Sequence, residues 1–411
     1  MKTAFKMKLW GWGQDGTRFD IENRPKLLPY LHKYMAISSL DTPNMINGEK
    51  ITIPACAMPA TLLETFSQKL GEENVSTVRT DRIVHSVGKA YPDFIKVRQT
   101  HMDEVVDVVL YPKNEGDILS ILKIAQESKI AIIPFGGGSS VASGLTPKKG
   151  KNLYTASVDL CLLNKILALD KVSLLANIEA GMFGPALEKE LNAQGYTLGH
   201  FPQSFEFSTL GGWLATRSSG QNSLFYGGIE KIATSIRMIT FDGPIETLAV
   251  PRMAGGPDLK ELIVGSEGRF GIITSAWMKI HPLPEKQQYH MYFFKSFSDA
   301  ELACKEIVQT GAKLAMLRVS DEHETEAMLS MSRRHDGLLT SLLSSIIKLL
   351  LKFKGFNSSF CSIMVGHEGN SSKICRERQL VKKMFRPYTH LSLGTAAGSK
   401  WLQDRFFLPY N

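Results

Sequence analysis

The sequence predicts an α+β protein of two or three domains, and three observations carry that prediction. A chain of 411 residues is too long for one ordinary compact domain. Residues 94–283 are rich in glycine and alternate short apolar runs with helical stretches. The two prolines of His281-Pro282-Leu283-Pro284 then interrupt this pattern and mark a boundary. We therefore expect a mixed, partly helical N-terminal region over 1–93, a glycine-rich domain over 94–283 and a further domain over 284–411.

The composition is that of a folded globular protein. Hydrophobic residues make up 43% of the chain and charged residues 21%, which excludes wholesale disorder. Lys and Arg total 48 against 40 Asp and Glu, so the formal charge is +8. Because this excess is mild and spread along the chain, nucleic-acid binding is not expected. An anionic ligand or a membrane surface suits the charge better.

The cysteines and the N-terminus indicate a reducing compartment. The cysteines lie far apart and form no CxxC pair, so neither disulfides nor any metal site is expected. The N-terminus lacks the apolar core of a signal peptide. The most apolar stretch, Ser341 to Phe353, is too short and too polar to span a bilayer. We expect a cytoplasmic or peroxisomal protein, although no clear peroxisomal signal is present.

The elements before the sharpest motif form a βαβ pattern. Pro59 to Leu70 carries leucines and a phenylalanine at helical spacing. Val105 to Leu110 is typical of a buried strand, and Glu115 to Ser128 of an amphipathic helix. Ala131 to Pro134 is a second strand that runs directly into a glycine loop. A helical crossover between two strands predicts parallel pairing.

The later elements are predicted less sharply. Within the glycine-rich zone we expect strands at Asn152 to Val158, Leu174 to Glu179, Ser235 to Thr240 and Gly271 to Ile280. After the boundary we expect a strand at Tyr289 to Phe294, a helix at Ser298 to Thr310 and a strand at Ala315 to Val319. The last segment, Gly337 to Asn411, is predicted to hold a leucine-rich helix and a tail without a clear pattern.

The sharpest motif is the loop Pro134-Phe135-Gly136-Gly137-Gly138-Ser139-Ser140, directly after a predicted strand. Three glycines let the backbone turn tightly and bring several N–H groups to one anion, and the two serines can add hydroxyl donors. A pyrophosphate is the expected ligand, with a simple glycine turn as the alternative. The loop is neither a GxGxxG fingerprint nor a Walker loop, since no GK[ST] follows. A nicotinamide Rossmann site and a nucleotide triphosphatase are therefore disfavoured.

Two later segments place glycine and small polar residues where a core segment would place aliphatic ones. The first runs from Gly199 to Gly220 and contains His200, Gln203, Ser204, Ser208, Thr209, Thr216, Arg217, Ser218 and Ser219. The second runs from Gly265 into a predicted strand and contains Glu267, Gly268, Arg269, Phe270, Gly271, Ile272 and Ile273. Both patterns predict a backbone that lies close to a ligand. By itself, His200 would more often be a structural histidine than a catalytic one.

Together, the three segments resemble the flavin-binding domain of the vanillyl-alcohol-oxidase and p-cresol-methylhydroxylase (PCMH) superfamily. The resemblance runs from about His101 to Leu283. It implies a PCMH-type FAD-binding domain of two subdomains, followed by an α/β cap domain. It also implies that the loop residues Pro134 to Ser140 hold the FAD pyrophosphate and that the two later segments line the flavin. Ser139 stands where some members carry a histidine bonded to FAD, so the resemblance implies non-covalent FAD.

A narrower resemblance is to the alkyldihydroxyacetonephosphate synthase family. Its motifs are matched by Trp10-Gly11-Trp12-Gly13, Phe205-Glu206-Phe207-Ser208-Thr209, Gly211-Gly212-Trp213, Pro251-Arg252-Met253, Gly256-Pro257-Asp258 and Lys352-Phe353-Lys354-Gly355-Phe356. This family makes the ether bond of ether lipids: it exchanges the acyl chain of acyl-dihydroxyacetone phosphate for a fatty alcohol, without net redox. Those two compounds are therefore the implied substrates.

The same resemblance implies two catalytic candidates, Arg318 and His200. Arg318 matches the family's arginine near the active site, and its guanidinium suits a phosphate headgroup. Without the resemblance, a surface salt bridge would be the better interpretation of Arg318. His200 matches a position that the family needs for an intact flavin site.

The resemblance further implies that the chain stops early. The family continues past the point matched by Asn411, and its next arginine, its acid/base tyrosine and its histidine-rich loop have no counterpart here. We therefore expect a C-terminally truncated homologue with an incomplete cap. The strands at Tyr289 to Phe294 and Ala315 to Val319 should then show an exposed sheet edge and unburied apolar surface. The alternatives are an FAD-linked oxidase or dehydrogenase of a 2-hydroxy acid or alcohol, and an inactive flavin-binding homologue.

Two partner questions stay open at this point. The segment Leu338 to Phe353 sets lysines beside leucines and isoleucines, a pattern that suits peripheral contact with an anionic membrane and suits a buried cap helix equally well. Whether the chain forms a homodimer is the other open question.

Overall fold

The computed structural model describes residues 7–17, 20–39, 46, 48–332, 346–347, 349–356 and 359–406. The helices are α1 (Leu27–Met35), α2 (Ala60–Leu70), α3 (Arg79–Val84), α4 (Tyr91–Arg98), α5 (Glu115–Ser128), α6 (Gly184–Ala193), α7 (Leu210–Ala215), α8 (Ser223–Tyr226), α9 (Ile229–Ile232), α10 (Leu259–Ile263), α11 (Phe297–Gln309), α12 (Glu322–Ser330), α13 (Ser371–Phe385) and α14 (Ala396–Asp404). Residues 346–347 and 349–353 are also helical.

The strands are β1 (Val75–Ser76), β2 (Val108–Leu110), β3 (Ile130–Phe135), β4 (Tyr154–Asp159), β5 (Ile166–Asp170), β6 (Leu175–Glu179), β7 (Tyr196–Thr197), β8 (Ala233–Thr240), β9 (Gly243–Glu246), β10 (Ile272–Lys279), β11 (His281–Pro282), β12 (Lys286–Phe294), β13 (Met316–Ser320), β14 (Cys361–Gly369) and β15 (His390–Ser392). In the described residues they form three main sheets and one two-stranded sheet, in which β11 pairs with β7. We number the main sheets in chain order.

The first sheet has the strand order β1-β2-β4-β3. β2 and β3 both pair parallel with β4, and α5 is the crossover between them, so the predicted βαβ unit is confirmed with β4 inserted between its strands. Asn114 begins α5 by accepting a 3.0 Å hydrogen bond from the amide of Asp117. The proposed domain boundary between residues 93 and 94 separates β1 from β2, although the two strands are paired.

The second sheet is antiparallel throughout, with the order β5-β6-β10-β8-β9. It shares one continuous apolar core with the first sheet, to which α5 contributes Ile121 and β8 contributes Ile236. Glu115 of α5 also links the two sheets through polar contacts. Its carboxylate accepts hydrogen bonds from Arg237 of β8 at 2.8 Å and from Thr274 of β10 at 2.6 Å. The two sheets are thus held together as the expected pair of subdomains.

The third sheet has the order β13-β14-β12-β15 and is antiparallel. Its central strand β14 lies in the segment for which the sequence predicted only a leucine-rich helix and an unpatterned tail, so that expectation was wrong for residues 361–404. The reason is physical: eight of the nine residues of β14 are buried, on both faces. Such a strand shows no alternation of apolar and polar residues.

The expected exposure of apolar surface in this sheet was also wrong. Residues 289–294 lie in β12, an interior strand between β14 and β15, and Tyr289 and Phe294 are buried. α11 and α13 cover one face of the sheet, while Trp401 of α14 packs on Tyr289 from the other. β13 is an edge strand in the described part of the sheet, as expected, but Ala315 and Met316 are buried and Leu317 and Val319 are half-buried. Residues 361–404 supply the cover that was expected to be missing.

Candidate cofactor site

The glycine loop begins where β3 ends and packs on the backbone of the second glycine-bearing segment. A Cβ on Gly137 would overlap the carbonyl oxygen of Phe207, and one on Gly136 would overlap the hydroxyl of Thr209. Gly138 has a φ of +68°, which side-chain-bearing residues rarely adopt. The glycines were predicted from close approach to a ligand. In the structure the first two are also required by close approach to the neighbouring protein backbone.

The amides of this loop are its main binding feature. From Gly136 to Ser140, no backbone N–H donates to an acceptor among the described residues. The loop is held from behind instead, because the carbonyl of Ser140 accepts a 2.6 Å hydrogen bond from the amide of Lys89. Successive free amides on a tight turn bind anions, since buried N–H groups require an acceptor. The loop therefore fits the diphosphate of a dinucleotide.

The three glycine-bearing segments lie in contact with one another. A Cβ on Gly268 would lie 3.0 Å from the ring of Pro134, so the third segment touches the first. The third segment also touches the second, because the amide of Glu267 donates to the carbonyl of Ala215 at 2.9 Å. Thr209 begins the short helix α7 by accepting from the amide of Gly212. All three segments can thus line one elongated ligand.

His200 is a neutral, buried histidine with one free ring nitrogen. Its Nε2 lies 3.1 Å from the hydroxyl of Ser218, and its ring packs edge-on against Trp213 with 5.0 Å between centroids. Its Nδ1 has no hydrogen-bond partner among the described residues. Burial lowers the pKa of His200 to about 3, so the ring carries no charge near neutral pH. It can hydrogen-bond a ligand but cannot supply a cation.

Ser208 and Ser204 are used inside the protein. The indole of Trp213 donates to the hydroxyl of Ser208 at 2.7 Å, and that hydroxyl donates to the carbonyl of Ser204 at 2.8 Å. This chain of bonds holds the ring against which His200 packs. The two serines therefore shape the site from within, and their part in cofactor binding stays a prediction.

The other predicted cofactor residues include exposed side chains and side chains of the apolar core. Seven have exposed side chains: Gln203, Thr216, Arg217, Ser219, Glu267, Arg269 and Phe270. Arg217 is paired with Glu261 at 3.1 Å. The side chains of Ile272 and Ile273 belong to the apolar core. Their backbone pairs with Ile239 and Met238 of β8 along one edge, so any ligand contact there would be with the backbone and not with the side chains.

Arg318 lies outside this convergence, on β13 of the third sheet. Its guanidinium is paired with the carboxylate of Glu324 on α12, and its side chain is 37% exposed. β13 lies against α8, which follows the second glycine-bearing segment in the chain. In the described residues Arg318 therefore has the salt bridge that the sequence suggested as the alternative. β13 contacts the region of the cofactor segments through α8.

Three residues beside the loop were missed by the sequence reasoning: His85, Lys89 and Asp159. They line a cavity of about 40 Å³ together with Gly136 to Gly138. His85 Nε2 lies 3.0 Å from the carboxylate of Asp159, and its ring packs on Phe135. Asp159 could have been found, because it ends a buried strand next to the strand that carries the loop. Lys89 lies in a mixed N-terminal segment, and no sequence motif around it indicates a binding residue.

The comparisons with known proteins agree with this geometry. Residues 106–249 match the family model described as an FAD binding domain. Alkyldihydroxyacetonephosphate synthase of Dictyostelium discoideum is 36% identical over 80% of this chain and 54% of its own length. The enzyme of the same name from Trypanosoma brucei brucei is 32% identical over 99% of this chain and 70% of its own length.

A solved structure points the same way. An alkyldihydroxyacetonephosphate synthase matches 98% of this chain and 76% of its own, with a TM-score of 0.87 and 30% identity. The chain thus spans between about half and three quarters of the length of these relatives. FAD is the cofactor that both the loop and the matched domain indicate. Relatives and a solved structure of that name match nearly the whole chain, and the chain has their fold. The chain therefore belongs to the alkyldihydroxyacetonephosphate synthase family.

Proposed function

We propose that this chain binds FAD non-covalently and exchanges the acyl chain of acyl-dihydroxyacetone phosphate for a fatty alcohol, without net redox. The observation that carries the proposal is the run of free amides from Gly136 to Ser140, in a chain of this family. Those amides would hold the diphosphate of FAD, and the two later segments would hold the rest of the cofactor. When bound, FAD supplies an electron-accepting ring system.

The absence of a covalent link is part of the proposal. Ser139 offers the loop a hydroxyl where attachment would need a histidine ring. A cation is available to the diphosphate nearby, because Lys89 lines the same cavity as the loop glycines. His200 would contribute its free ring nitrogen as a neutral hydrogen-bonding group beside the cofactor.

Arg318 is our candidate for the phosphate headgroup of the substrate. Its guanidinium is partly exposed and has a carboxylate as its present partner. A phosphate dianion can replace that carboxylate, because both accept the paired N–H donors of a guanidinium. The headgroup would then lie between β13 and the second glycine-bearing segment.

We further propose the domain division suggested by the sequence, with 1–93, 94–283 and 284–411 as its parts. The first two sheets fall largely in the middle part and the third sheet in the last, and β1 adds an edge strand from the first part. A cytoplasmic or peroxisomal location and a homodimer belong to the same proposal. Gel filtration and microscopy of a tagged chain would test them.

Peripheral membrane contact is the remaining part of the proposal. No helix in the described part of the chain has the length and apolarity needed to cross a bilayer. Leu349 and Phe353 are 68% and 89% exposed in the helical residues 349–353, which supports contact with a lipid surface. Residues 338–345 and 348 of the predicted segment lie outside the described residues. Cosedimentation with anionic vesicles would test the contact.

The central experiment is a cofactor and exchange assay on the recombinant chain. We expect yellow protein with one FAD per chain, and exchange of labelled fatty alcohol into acyl-dihydroxyacetone phosphate. Bleaching of the flavin by 2-hydroxy acids without oxygen would favour the oxidase alternative. Bound FAD without exchange would favour the inactive homologue. Protein that stays colourless with excess FAD would refute the whole proposal.

A further inference from the structure

A buried carboxylate joins the third sheet to α8, the helix that follows the second glycine-bearing segment. Glu368 of β14 is 2% exposed. Its oxygens accept hydrogen bonds from the hydroxyls of Tyr226 at 2.6 Å and Tyr289 at 2.8 Å. They also accept from the side-chain amides of Asn222 at 2.9 Å and Gln287 at 3.1 Å. Two of these donors come from the region of α8 and two from β12, so one carboxylate ties both regions together.

Tyr226, on α8, also packs against the loop that contains His200. The Tyr226 ring lies so close to Gly199 that a Cβ at Gly199 would overlap it. Gly199 has a φ of +73°, so glycine is required there on both counts. The residue after Gly199 is His200. The place of the Tyr226 ring therefore limits where His200 can lie.

A second buried carboxylate, Glu188, is hydrogen-bonded to the same glycine. Glu188 of α6 accepts from the amides of Leu198 at 3.0 Å and Gly199 at 3.2 Å, and from the hydroxyl of Thr197 at 2.8 Å. Gly199 is thus in contact with both Glu188 and Tyr226. Glu188 acts on Gly199 through backbone hydrogen bonds, whereas the position of Tyr226 depends on Glu368.

We propose that Glu368 is a positioning residue, which holds Tyr226 against Gly199 and so sets the place of His200 beside the cofactor. A carboxylate can only accept hydrogen bonds, so the Tyr226 hydroxyl must donate to it. Burial and the charge of Glu368 both raise the pKa of Tyr226, which keeps that hydroxyl protonated.

The test uses three variants and a readout at His200 itself. Glu368→Gln keeps the size of the side chain and removes the charge, and Tyr226→Phe keeps the ring and removes the donor. Glu377→Gln is the matched control, because Glu377 of α13 is a buried carboxylate whose partners are His367 and Lys373 and which does not contact Tyr226. Diethyl pyrocarbonate labels neutral imidazoles, and mass spectrometry reads its addition residue by residue.

We expect His200 to be protected in the wild type and labelled about tenfold faster in Glu368→Gln and Tyr226→Phe, the change expected for loss of a hydrogen bond to a charged group. The double variant should label no faster than Glu368→Gln alone, since the charge-assisted hydrogen bond from Tyr226 to Glu368 is already lost in that variant. His101, which is 59% exposed, should label equally in every protein. The visible circular dichroism of bound FAD should change in the same two variants and not in Glu377→Gln.

The inference rests on the proposed FAD site only for the dichroism. Protein without FAD would refute the proposed function, while the labelling of His200 would still decide the role of Glu368. Unchanged labelling in Glu368→Gln and Tyr226→Phe would overturn the inference. Equal acceleration in Glu377→Gln would overturn it too, because the effect would then be a general loss of stability.

Discussion

Lys89 is a buried ammonium whose acceptors are backbone carbonyls. Its Nζ donates to the carbonyl oxygens of Lys8 at 2.5 Å and Leu9 at 3.3 Å, and it lines the cavity beside the glycine loop. Burial lowers the pKa of Lys89 to about 8, and the charge of Asp93 only partly opposes that shift. A buried cation is costly without a full counter-charge, and a diphosphate on the loop amides would provide one.

Replacing Lys89 by methionine should weaken FAD binding about tenfold or more, because a charge-assisted contact is lost. Riboflavin, which has no phosphate, should bind the variant and the wild type equally. Fluorescence titration measures both affinities. Lys96→Met, which removes a half-buried lysine paired with Glu104, is the control and should change neither. Equal losses for FAD and riboflavin would contradict the assignment.

The same group predicts two opposite pH trends. Affinity for FAD should fall as the pH rises through about 8, because the ammonium loses its charge. The free energy of unfolding of the apoprotein should gain from this group between about pH 8 and 10.5, because the unfolded lysine still binds its proton there and the folded one does not. Lys89→Met should remove both trends. Identical pH profiles for variant and wild type would count against them.

Arg318 and Glu324 allow a headgroup role to be separated from a structural ion pair. If Arg318 binds phosphate, Arg318→Ala should lower kcat/KM for the exchange about 10- to 100-fold, the value of a charge-assisted contact. Glu324→Ala should leave kcat/KM unchanged or raise it, since it frees the guanidinium. Similar small losses in both variants, with equal shifts in Tm, would favour the ion pair alone.

The glycine loop acts as an element whose shape depends on its neighbour. Gly137→Ala should lower the free energy of unfolding by about 1–3 kcal/mol, because the added methyl group overlaps the carbonyl of Phe207. It should also weaken FAD binding, since the loop amides would be displaced. Gly255→Ala is the control, because a Cβ there meets nothing within 4 Å. Thermal unfolding with and without FAD checks both, and normal FAD affinity in Gly137→Ala would contradict the expected displacement.

Elements with a strong local pattern were predictable, including the buried strands β8 and β10, whereas β14 was not. The helix predicted at residues 115–128 forms as α5, and the strand at 131–134 forms within β3. The strand expected from Val105 begins only at Val108. β14 escaped prediction because its sequence does not alternate, and its buried Glu368 looks like a residue of a loop. Such a strand is buried by the sheet and helices that distant parts of the chain pack on it, and these are not visible in its local sequence.

Acid should unfold the molecule partly through its buried histidines. Burial lowers the pKa of His200 to about 3 and that of His290, which also faces His367, Arg378 and Lys382, to about 4. The unfolded chain binds protons at these rings near pH 6.5, so stability falls as the pH drops below that value. His290→Gln should flatten the fall in Tm of the apoprotein between pH 6.5 and 5. An unchanged slope would show that other groups control it; Glu188 acts in the opposite direction, because burial raises its pKa.

The chemistry of the glycine loop could be inferred from the chain alone. The run of three glycines directly after a predicted strand already indicates a backbone that can bind an anion. The partners of Lys89, His200 and Glu368 could not be inferred in this way. Whether a charged or polar side chain is buried, and which distant donor satisfies it, depends on how the three sheets pack, and nothing in the local sequence around it encodes that packing.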